Sequence, residues 1–575
     1  MQAATTILCQ RCNAEISIDV KPHPPITIQR FRSLDTPSDV EVAQIRPVIK
    51  DCQRDLDRYS EEIQKLSETL ATLKRQRDEL QTYRDRQSSF ISPVRKLPVE
   101  ILANIFSLCC DSGLVIDKEI SAPALTLSHT CSFWRRVTLS RPELWSTLSV
   151  DLHKFRSGAE ARLHELLALF LDRSETGSGI CLEVSAYDDN EYYAHALDPE
   201  GWSAFVILLR GRNRWKEVSF ELSWDLYTAV SYVGISVFLE GSDLGNLEHL
   251  SVGWLEDQRI PPNKPPFFFN ILTHAPSLQS LCIQGLYDHR NFEGLPVNSA
   301  KKLSITESIV RFSDLFWLLE RCAGNCEEID FSTWGILDTE QFNDLPEITL
   351  PNLQSLDYRF GECETGSKVL SALTLPSLTT LTLGETGVKN TPAPRQAMFR
   401  NFKAMIERSS CRLKNLTLEG RLFESDKEWI AILNLIPTVE KLMLDVRWHY
   451  GSILTEDFFD ALCFNSMPGQ RIILPCLGAF SLSFQEEPIW LGGDPRKSDS
   501  LPNPRAMISM IESRAVAECS VGNVQRLQCF AVNSDVWTRT AHEWMQNFDS
   551  DTGPRLRELE KAGLRLSLNM ALQRE

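Results

Sequence analysis

No apolar run in this 575-residue chain approaches the length of a bilayer, so no membrane-crossing helix is expected. Met1 to Leu8 lacks a basic region and holds only a token apolar stretch, which speaks against a secretory signal. Basic residues are in deficit: 60 Lys and Arg against 77 Asp and Glu leave a net charge of −17. That balance argues against a nucleic-acid backbone or an anionic membrane as the main partner. The 16 cysteines lack any framework spacing. Scattered in this way they fit small core residues in a reducing compartment, so cytoplasm or nucleus is the expected location. Catalytic signatures are missing too. There is no GxxxxGKS loop, and His164-Glu165 and His542-Glu543 each lack the second histidine of a zinc-protease helix. No serine is flanked as in a nucleophile elbow. The reading is a non-enzymatic chain with no catalytic residue, no cofactor and no metal. Cys9-x-x-Cys12 with His23 is half of a zinc pattern without a second pair, and is read as chance spacing.

What is there is a globular composition, 43% apolar and 24% charged, in a chain too long for one simple core. Residues 1–37, with Pro22, Pro24, Pro25 and Pro37, read as a disordered tail. From Ser38 a helix is expected to about residue 89. Ser38-x-x-Glu41 is a capping box. Val42, Ile49, Leu56, Ile63 and Leu70 recur every seven residues, and Ile45, Cys52, Tyr59, Leu66, Leu73 and Leu80 fill the positions three further on. These are the a and d positions of a coiled coil, broken only by Arg77. Pro47 falls at f, where it kinks the first turns or marks the true start, and Glu61 with Lys65 suggests an i,i+4 pair. Two readings stand: a homodimer through 42–80, or one helix folded back on the rest of the chain.

Residues 93–150 hold three short amphipathic helices. Pro98 suits a first helical turn, and Glu100 suits its positive end. Ile101, Leu102, Ile105 and Phe106 form one apolar stripe. Leu125, Leu127, Cys131, Trp134 and Val137 form a second face, and Leu144, Trp145 and Leu148, after Pro142, a third. So small a unit buries too little to stand alone. The order and spacing resemble an F-box. That resemblance implies docking to the Skp-type adaptor of a cullin ubiquitin ligase. The adaptor-binding positions it implies are Leu97, Pro98, Glu100, Ile101, Leu102, Ile105, Phe106, Cys131, Trp134, Val137, Pro142, Leu144 and Trp145, with Arg135 also matching. The linker Cys110 to Ala124 is longer than in compact F-boxes and leaves the path between the first two helices open.

From residue 155 to 575 the chain reads as an array. The unit is Pro-x-Leu-x-x-Leu-x-Leu, as in Pro276–Ile283, Pro351–Tyr358, Pro376–Leu383, Pro437–Leu444 and Pro475–Leu482. Variants without the proline end at Val252, Ile305, Phe331 and Leu418. The period varies from 22 residues (Ile283 to Ile305) to 38 (Leu444 to Leu482). Each unit predicts a short strand, and Phe267–Leu272, Leu315–Leu319, Phe402–Ile406 and Trp429–Leu433 predict outer helices. The array resembles an irregular leucine-rich repeat horseshoe, making the expected class α+β to α/β solenoid. Against the family pattern, no Asn or Cys follows the strand at Leu286, Trp334, Thr386 or Arg421. Asp494 to Arg505 reads as a loop. Strand residues between the inward leucines are expected to face a protein client. Among them Asp330, Asp357, Glu419 and Asp445 outnumber Arg359, which favours a basic segment.

The expected function is therefore the substrate-recognition subunit of a Skp–cullin–F-box ubiquitin ligase. The alternative is a coiled-coil and repeat scaffold unconnected with ubiquitin.

Overall fold

The computed structural model describes residues 4–9, 14–18, 36–155, 161–176, 179–186, 197–223, 226–227, 244–255, 272, 274–284, 295–337, 346–385, 395–420, 422–447, 454–464, 472–485, 503–516, 524–534 and 552–570. It divides into two units, Met1–Leu102 and Ala103–Glu575.

In the first unit, residues 4–9 and 14–18 depart from the expected disordered tail. They form an antiparallel hairpin, β1 (Ala4–Cys9) and β2 (Ala14–Ile18). Two short runs containing Thr and Ile around a polar connection are a hairpin pattern, and the prolines at 22–37 fall beyond it. Cys12 and His23 lie outside the described residues. Helix α1 (Asp39–Phe90) starts at the expected cap. The Ser38 amide donates to the Glu41 carboxylate at 2.9 Å, and the Glu41 amide donates to Ser38 Oγ at 3.4 Å. Pro47 lies inside the helix and neither starts nor ends it. Lys65 pairs with Glu62 at 2.7 Å, not with Glu61.

Helix α2 (Val99–Cys109) follows. The second unit is mixed α/β, built on one long, mostly parallel sheet. It opens with β3 (Leu114–Ile116) and β4 (Ile120–Ser121), then α3 (Pro123–Thr130), α4 (Ser132–Leu139) and β5 (Thr147–Asp151). Next come α5 (Ala161–Arg173), β6 (Ile180–Ser185), α6 (Pro199–Arg210), β7 (Trp215–Ser223), β8 (His249–Leu255), β9 (Ser280–Gln284) and β10 (Lys302–Arg311). Helix α7 (Phe312–Cys322), β11 (Glu328–Leu337), β12 (Ile348–Thr349), β13 (Ser355–Phe360), α8 (Cys363–Ala372), β14 (Leu373–Thr374) and β15 (Thr380–Glu385) follow. The remainder is α9 (Arg395–Ser409), β16 (Asn415–Glu419), α10 (Asp426–Leu435), β17 (Lys441–Arg447), α11 (Glu456–Leu462), β18 (Ala479–Gln485), α12 (Pro504–Ala515), β19 (Cys529–Ser534) and β20 (Arg565–Met570).

The strands of the 16-stranded sheet lie in chain order from β3 to β20, with β4 at the edge beside β3, while β12 and β14 pair with each other. Every pairing in it is parallel except β3 with β4. The repeat residues expected from the sequence form one register row: Val252, Ile283, Ile305, Phe331, Tyr358, Leu383, Leu418, Leu444 and Leu482. The row continues to Ile116, Val150, Val184 and Phe220 on one side, and to Val532 and Leu568 on the other. Helices cover this apolar face. Around α7 and α8, Leu303, Ile305, Ile329, Phe331, Leu356 and Tyr358 surround a small apolar gap with Leu315, Leu318, Leu319 and Val369. Phe331 and Tyr358 stack at 5.3 Å.

The side chains that tie one turn to the next precede the strand. Asn352 donates to the Gly324 carbonyl at 2.7 Å, Asn325 to Asn298 at 2.8 Å, Asn246 to Asn213 at 2.9 Å and Thr438 to Leu413 at 2.7 Å. Ser277 and Ser377 do the same toward Gly245 and Pro351. In four of these the donor follows the proline of the repeat, so Pro-[Ser/Asn/Thr]-[Leu/Val] is the working motif. Each bond satisfies a carbonyl that the parallel ladder leaves unpaired at the strand entrance.

Two boundaries differ from expectation. The linker Cys110 to Ala124 is the first hairpin of the sheet, with Leu114 beside Leu148 in the parallel pair β3–β5. The sheet thus begins inside 93–150 rather than at 155. Gly113, at φ +62°, makes the turn into β3, and a Cβ there would collide with the Thr147 carbonyl. The expected loop 494–505 is described only at its end, where Asn503 caps α12 and Pro504 and Arg505 are its first residues. Phe267 to Ile271 lie outside the described residues.

Candidate docking surfaces

The thirteen positions implied by the F-box resemblance separate by burial. Leu102, Phe106, Val137, Leu144 and Trp145 are interior. They cannot touch a partner directly, because packing already covers them. Within the second unit, Phe106 meets the half-buried Trp134 edge-on at 4.9 Å. Trp145 is fully buried, donates Nε1–H to the Thr138 carbonyl at 2.9 Å, lies edge-on to Phe170 at 4.8 Å and carries Arg173 over its ring at 4.3 Å. Burial, then the nearby Arg135, lowers the pKa of that guanidinium. Leu97 and Pro142 are half-buried, while Pro98, Glu100 and Cys131 are exposed.

The open apolar positions on α2 are Ile101, Ile105 and Leu108, at 47%, 40% and 81% exposure. Their i, i+4, i+7 spacing puts them on one side of the helix. Ile120, Phe133 and Leu139 are also exposed. Leu108, Phe133, Leu139 and Ile120 were not singled out from the sequence. The signal was present, since Leu108 continues the Ile101–Ile105 spacing, but its apolar character alone points equally well to the core.

A second surface is the sheet face opposite the buried row. Asp330 lies beside Asp357, Arg359 beside Gly384, Gly384 beside Glu419, and Glu419 beside Asp445. The five residues expected at a client surface therefore share one face and neighbouring strands, with Asp445 nearly covered. Arg359 is committed: its Nε and Nη2 donate to the two Glu419 oxygens at 2.9 and 3.1 Å, and Nη2 lies 3.2 Å from Asp357. The Glu419 hydrogen bonds raise the Arg359 pKa. Burial pushes the Asp357 carboxyl up to about 6, helped by Asp330 and Glu419 and opposed by Arg359. Burial outweighs Arg359, whose guanidinium is shared between Asp357 and the two-pronged contact with Glu419. Ser304 Oγ donates to Asp330 at 3.3 Å.

Toward the N-terminal end of the sheet this face forms an open groove of about 590 Å³. Ser149, Glu183, Ser219, Ser251 and Cys282 line its centre, with Cys181, Glu217 and His249 along one side. Of the strands that build it, β5 to β7 lack the proline motif that marks β9. Burial, followed by Glu217, pushes the Cys181 thiol up, the opposite of what activates a nucleophile. Among the described residues no three His, Cys, Asp or Glu side chains are placed to hold a metal. No described helix is long and apolar enough to cross a membrane. The chain matches no family model and no curated protein.

Proposed function

We propose that the chain is the substrate-recognition subunit of a cullin-type ubiquitin ligase, docking a Skp-type adaptor through its box-like helices. The observation that carries this reading is the open side of α2, where Ile101, Ile105 and Leu108 stay exposed beside a well-packed Leu102 and Phe106. Apolar side chains held outward on a rigid helix fit a docking face better than a buried cap. On this reading the parallel sheet with its outer helices is an irregular leucine-rich repeat solenoid. Its uncovered face, with Asp330, Asp357 and Glu419, holds a protein client bearing a basic segment. Transfer of ubiquitin then gains from proximity, and this chain supplies no reacting group.

The test is co-purification with a Skp-type adaptor. Wild type is expected to retain it, and Ile101→Asp with Ile105→Asp is expected to lose it while the fold, followed by circular dichroism, is unchanged. Adaptor retention by that variant, or no binding by wild type, overturns the reading.

A further inference from the structure

Helix α1 carries the longest apolar stripe in the described chain, and no residue of the helix is buried. Ile49, Leu56, Ile63, Leu70, Leu73 and Leu80 are 53–69% exposed. From Val42 to Arg77 is 35 residues, five heptads, and regular a/d spacing sustained beyond three or four heptads is the pattern of a coiled coil. We propose that the stripe is covered by a second copy of this chain, in a parallel, in-register two-stranded coiled coil over residues 42–80.

The sustained heptads call for a helical partner of the same periodicity, which a second copy supplies, and the flanking charges select this orientation. In a parallel pair each g residue faces the e residue five positions on in the other copy. The facing pairs are Val48 with Gln53, Asp55 with Ser60, Glu62 with Ser67, Thr69 with Lys74 and Gln76 with Gln81. None sets like charges together. The antiparallel pairing that superposes the same stripe matches residues whose numbers sum to 122, such as Val42 with Leu80 and Leu56 with Leu66. Beside that seam, g faces g at a sum of 124 and e faces e at a sum of 120, which brings Glu62 against Glu62 of the second copy and Arg46 against Lys74, both repulsive. Arg77, the one charged a position, would then be set against Ile45. In the parallel pair it meets its own counterpart near one end, and a single charged a layer sets register at a cost in stability. Its guanidinium is exposed and rests on Asp78 at 2.7 Å, so it can leave the seam. Ile and Val at several a positions with Leu at the later d positions favour two strands. The inference does not depend on the adaptor reading.

Cys52 makes the orientation measurable, because it occupies a d position. In the parallel pair it faces Cys52 of the second copy. In the antiparallel pair the two lie 18 residues apart along the axis (122 − 2 × 52), about 27 Å at the helical rise, and cannot be bridged. The full chain is examined by light scattering and then by mild oxidation with diamide on non-reducing gels. Expected are a mass twice the 65.4 kDa of one chain, a covalent dimer that Cys52→Ser removes while the dimer mass remains, and a monomer for Leu56→Lys with Leu70→Lys. Both leucines are exposed, so the lysines do not disturb a core, and an unchanged near-ultraviolet dichroism checks this. A monomeric wild type at micromolar concentration overturns the proposal. So does a dimer indifferent to the two lysines, which lies elsewhere, or one that oxidation fails to link through Cys52, which is not parallel.

Discussion

Arg359 and Glu419 are 60 residues apart in the chain and two strands apart in the sheet, yet the guanidinium and the carboxylate meet in two hydrogen bonds of 2.9 and 3.1 Å. Gly384 stands between them in register, and a Cβ on it would approach Glu419 Oε2 to 2.8 Å. The pair is half-buried and two-pronged, which makes it stronger than an ordinary surface ion pair. A double-mutant cycle of Arg359→Ala and Glu419→Ala, followed by denaturant unfolding, should return a coupling of about 1 kcal/mol. Gly384→Ala should weaken that coupling, since the added methyl group displaces the carboxylate.

Asp357 titrates in the opposite sense to most ion-paired carboxylates, because burial outweighs its contact with Arg359. Its pKa rises from the ordinary 3.8 to about 6, so the folded chain holds this proton more tightly than the unfolded chain. The stability linked to it is complete below 3.8 and is lost as pH rises through 6. Asp357→Asn should therefore be the more stable protein at neutral pH, by about 1 kcal/mol after solvent screening. The difference should shrink as pH falls from about 7 to about 5, with Asp330, Arg359 and Glu419 as the facing charges. Thermal midpoints of both proteins across that range check the sign.

Arg514 is 1% exposed, and among the described residues it pairs with no carboxylate. Its guanidinium instead donates to the carbonyls of Leu462, Leu474 and Ile473, at 2.6, 2.9 and 2.5 Å. Burial lowers its pKa to about 10. The side chain joins the end of α11, the 473–474 turn and α12. Arg514→Met should fill similar space yet strip the Leu462 and Ile473 carbonyls of this donor, while the Leu474 carbonyl keeps the Leu477 amide, at a cost of about 2–4 kcal/mol in denaturant titration.

Asn352 represents the side chains that close six of the strand entrances. Asn352→Ala should lower stability by about 1 kcal/mol, because the Gly324 carbonyl loses its donor. Asn352→Ser should restore part of that loss, as Ser277 and Ser377 perform the same task elsewhere. Thermal unfolding of the three proteins checks both outcomes.

The box-like helices contain two kinds of apolar residue, and mutation should separate them. Trp145→Ala removes a fully buried ring and its hydrogen bond, and should cost about 3–5 kcal/mol. Leu108→Asp changes a side chain that is 81% exposed and should leave stability within about 0.5 kcal/mol. If the docking reading holds, only the second variant loses adaptor while staying folded. Calorimetry and co-purification read the two effects independently.

The sequence alone determined the features that are periodic. The heptads of α1 and its Ser38–Glu41 cap were legible, because local spacing decides which side of a helix is apolar. The nine residues from Val252 to Leu482 that line up in the sheet were legible for the same reason, through alternation within each strand. Only the tertiary structure decided the rest. Strands β3, β5, β6, β7, β19 and β20 join the row because stacking on a formed neighbour supplies the pairing that their own sequences do not announce. Parallel register then brought Arg359 to Glu419 across Gly384, and put Asn352 under Gly324. Burial divided Ile101 and Ile105 from Leu102 and Phe106, which a helical wheel can order but not assign to inside or outside. Which apolar face meets the core depends on what packs beside it, and that is settled by contacts between residues far apart in the chain.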